Sequence, residues 1–208
     1  MNPSSDSRAT PTGNRPVIDD AAVQLIAEQG LEAATVRRVA SRAGVSPGLV
    51  QHHYPTKQAM LLAAMATVEA AVQQRLRTLD QNDPASVQLQ NLIPQILPLD
   101  AARAAEARVW LAFTARAAVD PVIAAAHASS WQQLENAIAQ LLAAHSGDDH
   151  PDPLVRDRAA ILLAGLDGLA ATAVSEPRRL PIARIEILGD RMLQQALGSA
   201  ADDGQRAS

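Results

Sequence analysis

Arg37, Arg38, Arg42 and Lys57 lie in a stretch bounded by Glu32 and Glu69 that contains no Asp or Glu. Lys57 is the only lysine in the chain. A run of cations without acids suits a phosphate backbone, which attracts the former and repels the latter. The same four cations would also serve as ordinary solvated helix faces, so charge alone does not decide. Gln51 adds a second kind of chemistry, because a glutamine amide can read adenine N6 and N7 with two hydrogen bonds. Other chemistries fit poorly. The chain has no cysteine, which excludes disulfide scaffolds, thiolate zinc sites and thiol catalysis. His52 and His53 are helical neighbours pointing about 100° apart and cannot chelate from one face. His127, His145 and Asp148-Asp149-His150 are scattered. No metal, cofactor or catalytic activity is expected, for there is neither a glycine-rich phosphate loop nor a Ser/His/Asp grouping placed to react.

The elements that must position these residues are short and heavily punctuated. Thr35 is a helix N-cap, with Val36, Val39, Ala40 and Ala43 at helical spacing behind it, and Gly44 ends that helix. Ser46 and Pro47 immediately open another, running to about His53. Two capped helices around a glycine corner form a helix-turn-helix, whose second helix lies in the DNA major groove. Ala40 and Gly44 are small where the helices nearly touch, and Val36, Val39, Val50 and Tyr54 are expected in the core. A first helix from about Asn14 to Gly30 completes this unit with Ile18, Ala22, Leu25 and Ile26. Six further helical stretches follow, separated by Gly and Pro: from Pro55-Thr56-Lys57 past Leu79, from Asp83-Pro84 to about Leu97 with Pro94 inside, Asp100–Val119, Asp120–His145, Leu154–Val174 and Pro181–Leu197. The fold class is all-α with about nine helices.

The order of residues is more specific than their charge. RPVIDDAAVQLIAEQG over residues 15–30, then TVRRVASRAGVSPGLVQHHYPTK over residues 35–57, resembles the N-terminal domain of the tetracycline-repressor-like (TetR) family. The match extends to about residue 65. Trp110 to Ala118 (WLAFTARAA) and Leu166 to Leu169 (LDGL) are similar to the branch that includes betaine-pathway regulators. This resemblance implies an all-α homodimer with a three-helix DNA-binding domain and a six-helix regulatory domain. It further implies a one-component regulator, a repressor, that binds palindromic double-stranded operator DNA and is released by a small-molecule effector. The domains are then 14–57 and 58–198, between disordered tails at 1–13 and 199–208. Two positions depart from the family pattern: Gln51 replaces a common phosphate-touching Tyr, and Tyr54 replaces Phe.

The resemblance carries roles to particular residues. Pro47, Gly48, Gln51 and His52 should face the groove, with His53 near phosphate or capping the helix. Lys57, at the start of the fourth helix, matches a phosphate-binding lysine. Thr35, Arg37 and Ser46 add backbone contacts, or, in the case of Thr35 and Ser46, serve only as caps. An effector cavity is expected among the middle helices, where Trp110, Phe113 and Trp131 are three of the chain's four aromatics; Met65, Arg103 and His127 are weaker candidates. The last two helices are apolar over more than one face, and Ile161, Gly165, Leu166, Leu169, Ile185, Leu188 and Met192 are assigned to a four-helix dimer interface.

Composition sets the outer limits. The 208 residues are 48% apolar and 19% charged, enough for a real core. Alanine makes up about a fifth, against 2% aromatics, so helices must pack over small side chains. The net charge is −4, distributed as +1 over residues 1–57 and −5 over the rest. No apolar stretch is expected to span a bilayer, the N-terminus lacks the core of a secretory signal, and the expected location is cytoplasmic. The rival reading is an all-helical ligand- or protein-binding module without DNA activity.

Overall fold

A computed structural model of the chain describes residues 14–206. Among these residues the helices are α1 (Arg15–Gln29), α2 (Val36–Ala43), α3 (Pro47–His53), α4 (Lys57–Arg77), α5 (Ala85–Ile96), α6 (Ala101–Ala117), α7 (Pro121–Ser146), α8 (Pro153–Ser175) and α9 (Ile182–Arg206), with one 3-10 turn at Leu31–Ala33 and no strand. The all-α class and the helix count agree with the sequence reading. The tail expected at residues 1–13 lies outside the described residues. At the other end the helix continues past Gly198 to Arg206, where a polar tail was expected; Ala200 and Ala201 are strong helix formers that favour continuation.

Side-chain caps start most of these helices. Thr35, Ser46, Thr56, Asp100, Asp120 and Asp152 each accept a backbone N–H in the first turn that follows. Each such cap contributes about 1 kcal/mol. Prolines occupy the first turn of α1, α3, α7 and α8, where no N–H is needed. Pro94 does not break α5 but lies one turn before its end, and the chain leaves Leu97 in an extended conformation.

The helices bury two apolar clusters. One joins α1, α2 and α3 to α4 and continues into α6 and α7 through Val109, Phe113 and Ile123. The other holds α5, α7, α8 and α9 around Leu89, Ile138, Leu166 and Leu193. The core therefore does not divide at residue 57: α1 packs against both α4 and α6. In the second cluster α9 meets α5 at Gly189, where a Cβ would stand 2.8 Å from Leu97 Cδ1.

One expectation needs correction here. Leu166, Leu169 and Ile185 are buried in the chain's own core, in the cluster shared by α5, α7, α8 and α9, and present no free face. Gly165, Leu188 and Met192 are half-buried, with Met192 Sδ 3.4 Å from where a Gly165 Cβ would be. Ile161, by contrast, is 73% exposed. By length and composition alone α8 is apolar enough to cross a membrane, but its buried residues, among them Leu162, Leu163 and Leu166, belong to the core it forms with its neighbouring helices.

Candidate nucleic-acid interface and effector cavity

The helix-turn-helix depends on one backbone conformation. Gly44 lies in the left-handed region at φ 67°, ψ 29°, its N–H bonded to the Ala40 carbonyl, with the Val45 N–H bonded to the same oxygen at 3.0 Å. A residue with a Cβ would be strained there. Ser46 then accepts the Leu49 N–H at 3.2 Å and starts α3. Val50 and Tyr54 turn inward, whereas Pro47, Gly48, Gln51 and His52 are exposed on the opposite side. The structure thus brings four of the residues expected at DNA onto one free surface. His53 is half-buried, and its Nε2 is buried without a hydrogen-bond partner, so that nitrogen turns away from this surface. Thr35 caps α2 at 3.4 Å and stays exposed, as does Arg37. Val36, expected in the core, packs against it while half-buried.

Most of the cations in the acid-free stretch are already engaged. Arg42 makes a two-pronged pair with Glu28 of α1 at 2.9 and 2.7 Å, and Arg38 donates to Gln29. Lys57 pairs with Glu32 at 2.7 Å. Among the described residues Arg37 makes no ion pair. Tyr54 ties the end of α3 to α1: its hydroxyl donates to Asp19 and accepts the Arg15 Nε–H at 3.1 Å. This hydroxyl reaches side chains of α1 rather than solvent or backbone. Burial, reinforced by the hydrogen bond to Asp19, pushes the phenol up to about 12.

A cavity of about 280 Å³ opens between α4, α6, α7 and α8. Trp110 and Trp131 line it with their rings 6.2 Å apart and nearly parallel. His127 stacks on Trp110 at 4.5 Å and on Trp131 at 5.8 Å, and its Nε2 lies 3.0 Å from Thr114 Oγ1. Burial lowers the His127 pKa. Arg103 also reaches the cavity, held by Asp100 at 2.9 Å and by the Pro94 carbonyl. Met65, Phe113 and His127 do not line it, His127 meeting it only through the tryptophans on which it stacks. Met65 and Phe113 are buried in the first core, because they sit on the faces of α4 and α6 that pack beneath the helix-turn-helix.

Several lining residues escaped the sequence reading, namely Glu69, Val72, Glu106, Ser130 and Asp167. Glu106 is paired with Arg75 at 2.6 Å, and Glu69 accepts from Ser130. Asp167 has no cation beside it: desolvation raises its pKa, partly offset by the Trp110 indole N–H. A lone carboxylate in the apolar run Ile161–Val174 was the available signal. The cavity therefore joins aromatic faces to an uncompensated acid, a combination suited to an organic cation.

A capped helix-turn-helix mounted on a larger helical body with an internal cavity defines the class of helix-turn-helix transcriptional regulators. Residues 18–64 match the profile of the tetR family of bacterial regulatory proteins, and residues 85–198 match that of the C-terminal domain of BetI-type transcriptional repressors. The chain is 32% identical over 180 residues to the HTH-type transcriptional regulator PksA of Bacillus subtilis (strain 168), covering 83% of this chain and 84% of that one. A transcriptional regulator from Rhodococcus sp. Rha1 shares the fold with a TM-score of 0.81 and 34% identity, over 92% of this chain and 97% of that one. A regulator from Saccharomonospora viridis, solved in complex with choline, has a TM-score of 0.78 at 22% identity, over 88% and 96%. The chain belongs to the TetR family of transcriptional regulators, with a BetI-type C-terminal domain. It is a DNA-binding protein with a ligand-binding regulatory domain.

Tyr54 is the chain's sole tyrosine, so its ionisation can be followed by tyrosinate absorbance. The folded protein should titrate near 12, well above the unfolded chain at about 10. A pKa raised by folding stabilises the fold fully below the unfolded value and loses that contribution as pH climbs towards 12. Tyr54→Phe should abolish this alkaline component of the stability curve. A folded-state midpoint at the unfolded value would refute the buried Asp19 contact.

Proposed function

We propose that this regulator is a cytoplasmic repressor without enzymatic activity. It binds a palindromic operator as a homodimer and releases it when an organic cation enters the cavity. The observation carrying the effector reading is Asp167, an unpaired carboxylate beside the Trp110–Trp131 pair. Choline in the S. viridis structure is a cation of this kind. Effector binding would act by population shift, favouring a conformer whose recognition helices no longer match successive major grooves.

The DNA contact falls to the exposed side of α3, and Gly48 supports it. Glycine is a poorer helix residue than alanine, which could replace it in this first turn. A Cβ here would meet only Ser46 Oγ at 3.9 Å, so no contact within the protomer requires glycine. What requires the bare backbone is a surface outside the protein. Gln51 and His52 then reach base edges, while Arg37, Thr35, Ser46 and Lys57 hold phosphates. The dimer forms through the exposed face of α8 and α9, with Leu154, Ile161 and Ile187 as its apolar contacts. The domain boundaries near residues 57 and 198 remain part of this reading.

Gly48→Ala should leave the protomer as stable or raise its melting temperature, while operator affinity falls at least tenfold. Unchanged DNA affinity would remove α3's first turn from the interface. Ile161→Asp, at a position open to solvent in the protomer, should leave helix content intact but sediment as a monomer with operator affinity lost. A dimer retaining wild-type affinity would exclude this face. For the effector, choline is the probe, and the two tryptophans are the only indole fluorophores in the chain. Choline should shift their emission saturably and release operator DNA. Its uncharged carbon isostere 3,3-dimethylbutanol should bind about thirtyfold more weakly, the value of a desolvated cation–π contact of ~2 kcal/mol. Asp167→Asn should narrow that gap. Equal binding of the two compounds would overturn the cation reading.

A further inference from the structure

The first turn of α4 holds a cation where the helix dipole disfavours one. Lys57 is the first residue of α4, beside N–H groups that carry partial positive charge. Such a lysine needs an anion, and the free protein supplies Glu32, at 2.7 Å, from the 3-10 turn after α1. The Glu32 side chain is otherwise unconfined, at 83% exposure.

The next residue of α4 faces a second ion pair. Gln58 donates to Asp120 at 3.4 Å; Asp120 caps α7 and pairs with Arg116 at 3.2 Å. Arg116 lies in the last turn of α6, and α6 packs against the turn that carries Glu32. Lys57 holds the Glu32 carboxyl below the usual carboxylate range, and Arg116 adds to that lowering. Glu32 is therefore in contact with one cation, Lys57 on the candidate DNA surface, and its turn packs against α6, whose last turn carries a second, Arg116.

We propose that Glu32 is a built-in competitor for the DNA backbone: it occupies Lys57 in the free protein, and Arg116 of the regulatory domain draws it away when phosphate arrives. This rests on the reading of Lys57 as a phosphate contact. Lys57 passes from carboxylate to phosphate, while the released Glu32 comes to share Arg116 with Asp120. This exchange also ties the position of the α6–α7 corner to the cost of binding DNA. A shift of α6 that carries Arg116 away leaves Glu32 on Lys57, and a shift that brings it closer frees the lysine. Exposed ion pairs are weak, so the effect is modest, about two- to fivefold in affinity at low salt.

The test is binding of a random-sequence duplex at low salt by fluorescence anisotropy, which needs neither operator nor effector. Glu32→Gln should bind about two- to fivefold more tightly than wild type, and Lys57→Gln more weakly. Arg116→Gln should also bind more weakly, because Glu32 then has only Lys57. The discriminating protein is the Glu32→Gln/Arg116→Gln double variant, which should bind like Glu32→Gln alone. A merely structural Arg116, or one that touches phosphate itself, would lower affinity equally in both backgrounds, and that result overturns the proposal. Loss in Lys57→Gln without gain in Glu32→Gln overturns the competitor and leaves the lysine contact standing. No loss in Lys57→Gln overturns both.

Discussion

The packing of α1 against both α4 and α6 is the constraint on which the rest of this molecule depends. Ile18, Leu25 and Ile26 of α1, Met60 and Met65 of α4, and Phe113 of α6 belong to one buried cluster. The helix-turn-helix has no separate core: α2 and α3 close onto this cluster through Val39, Ala40, Val50 and Tyr54. A close-packed interior deforms little and transmits displacement instead. A displacement of α4 or α6 is therefore transmitted to the core on which α3, the helix proposed to read DNA, is seated.

The cavity is placed to exploit that rigidity. Val68 belongs to the first core and lines the cavity; Leu166 does the same from the second core. Trp110 packs against the first core and forms a cavity wall. A molecule in this space touches both packed bodies through single side chains. The cavity walls carry the chain's two tryptophans, Trp110 and Trp131, amid the smaller side chains Ala107, Ala137, Ala170 and Ala171.

Electrostatics in this chain are local. A protein of net charge −4 binds DNA only if its acids keep away from the contact surface or are neutralised there. Both devices are present. The stretch from Ala33 to Val68 contains no acid, and the acids just outside it, Glu28 and Glu32, are held by Arg42 and Lys57. Those pairs have different jobs. Arg42–Glu28 fastens α2 to α1 with two parallel bonds, a geometry that fixes orientation. Lys57–Glu32 is a single contact between two exposed side chains, easily exchanged for another anion.

What the sequence alone determined was local in origin. Caps at Thr35 and Ser46, prolines in first turns and the glycine stop at 44 are decided within a few residues, so helices and the turn were legible without knowing the fold, whereas the cap at Asp152, one residue before α8, was not read. The exposed side of α3 was legible for the same reason, since Val50 marks the buried side. The tertiary structure decided which apolar stripes face inward and which remain free. Leu166, Leu169 and Ile185 look no different from Ile161 in sequence, yet the packing of the helices buries the first three and leaves the last open. Met65 and Phe113 were drawn into the first core, while Glu69 and Asp167, on other helices, came to face the tryptophans. Nothing in a single helix records which neighbours it will meet, and the pairing of Lys57 with a glutamate twenty-five residues earlier exists only once α1 and α4 are packed together.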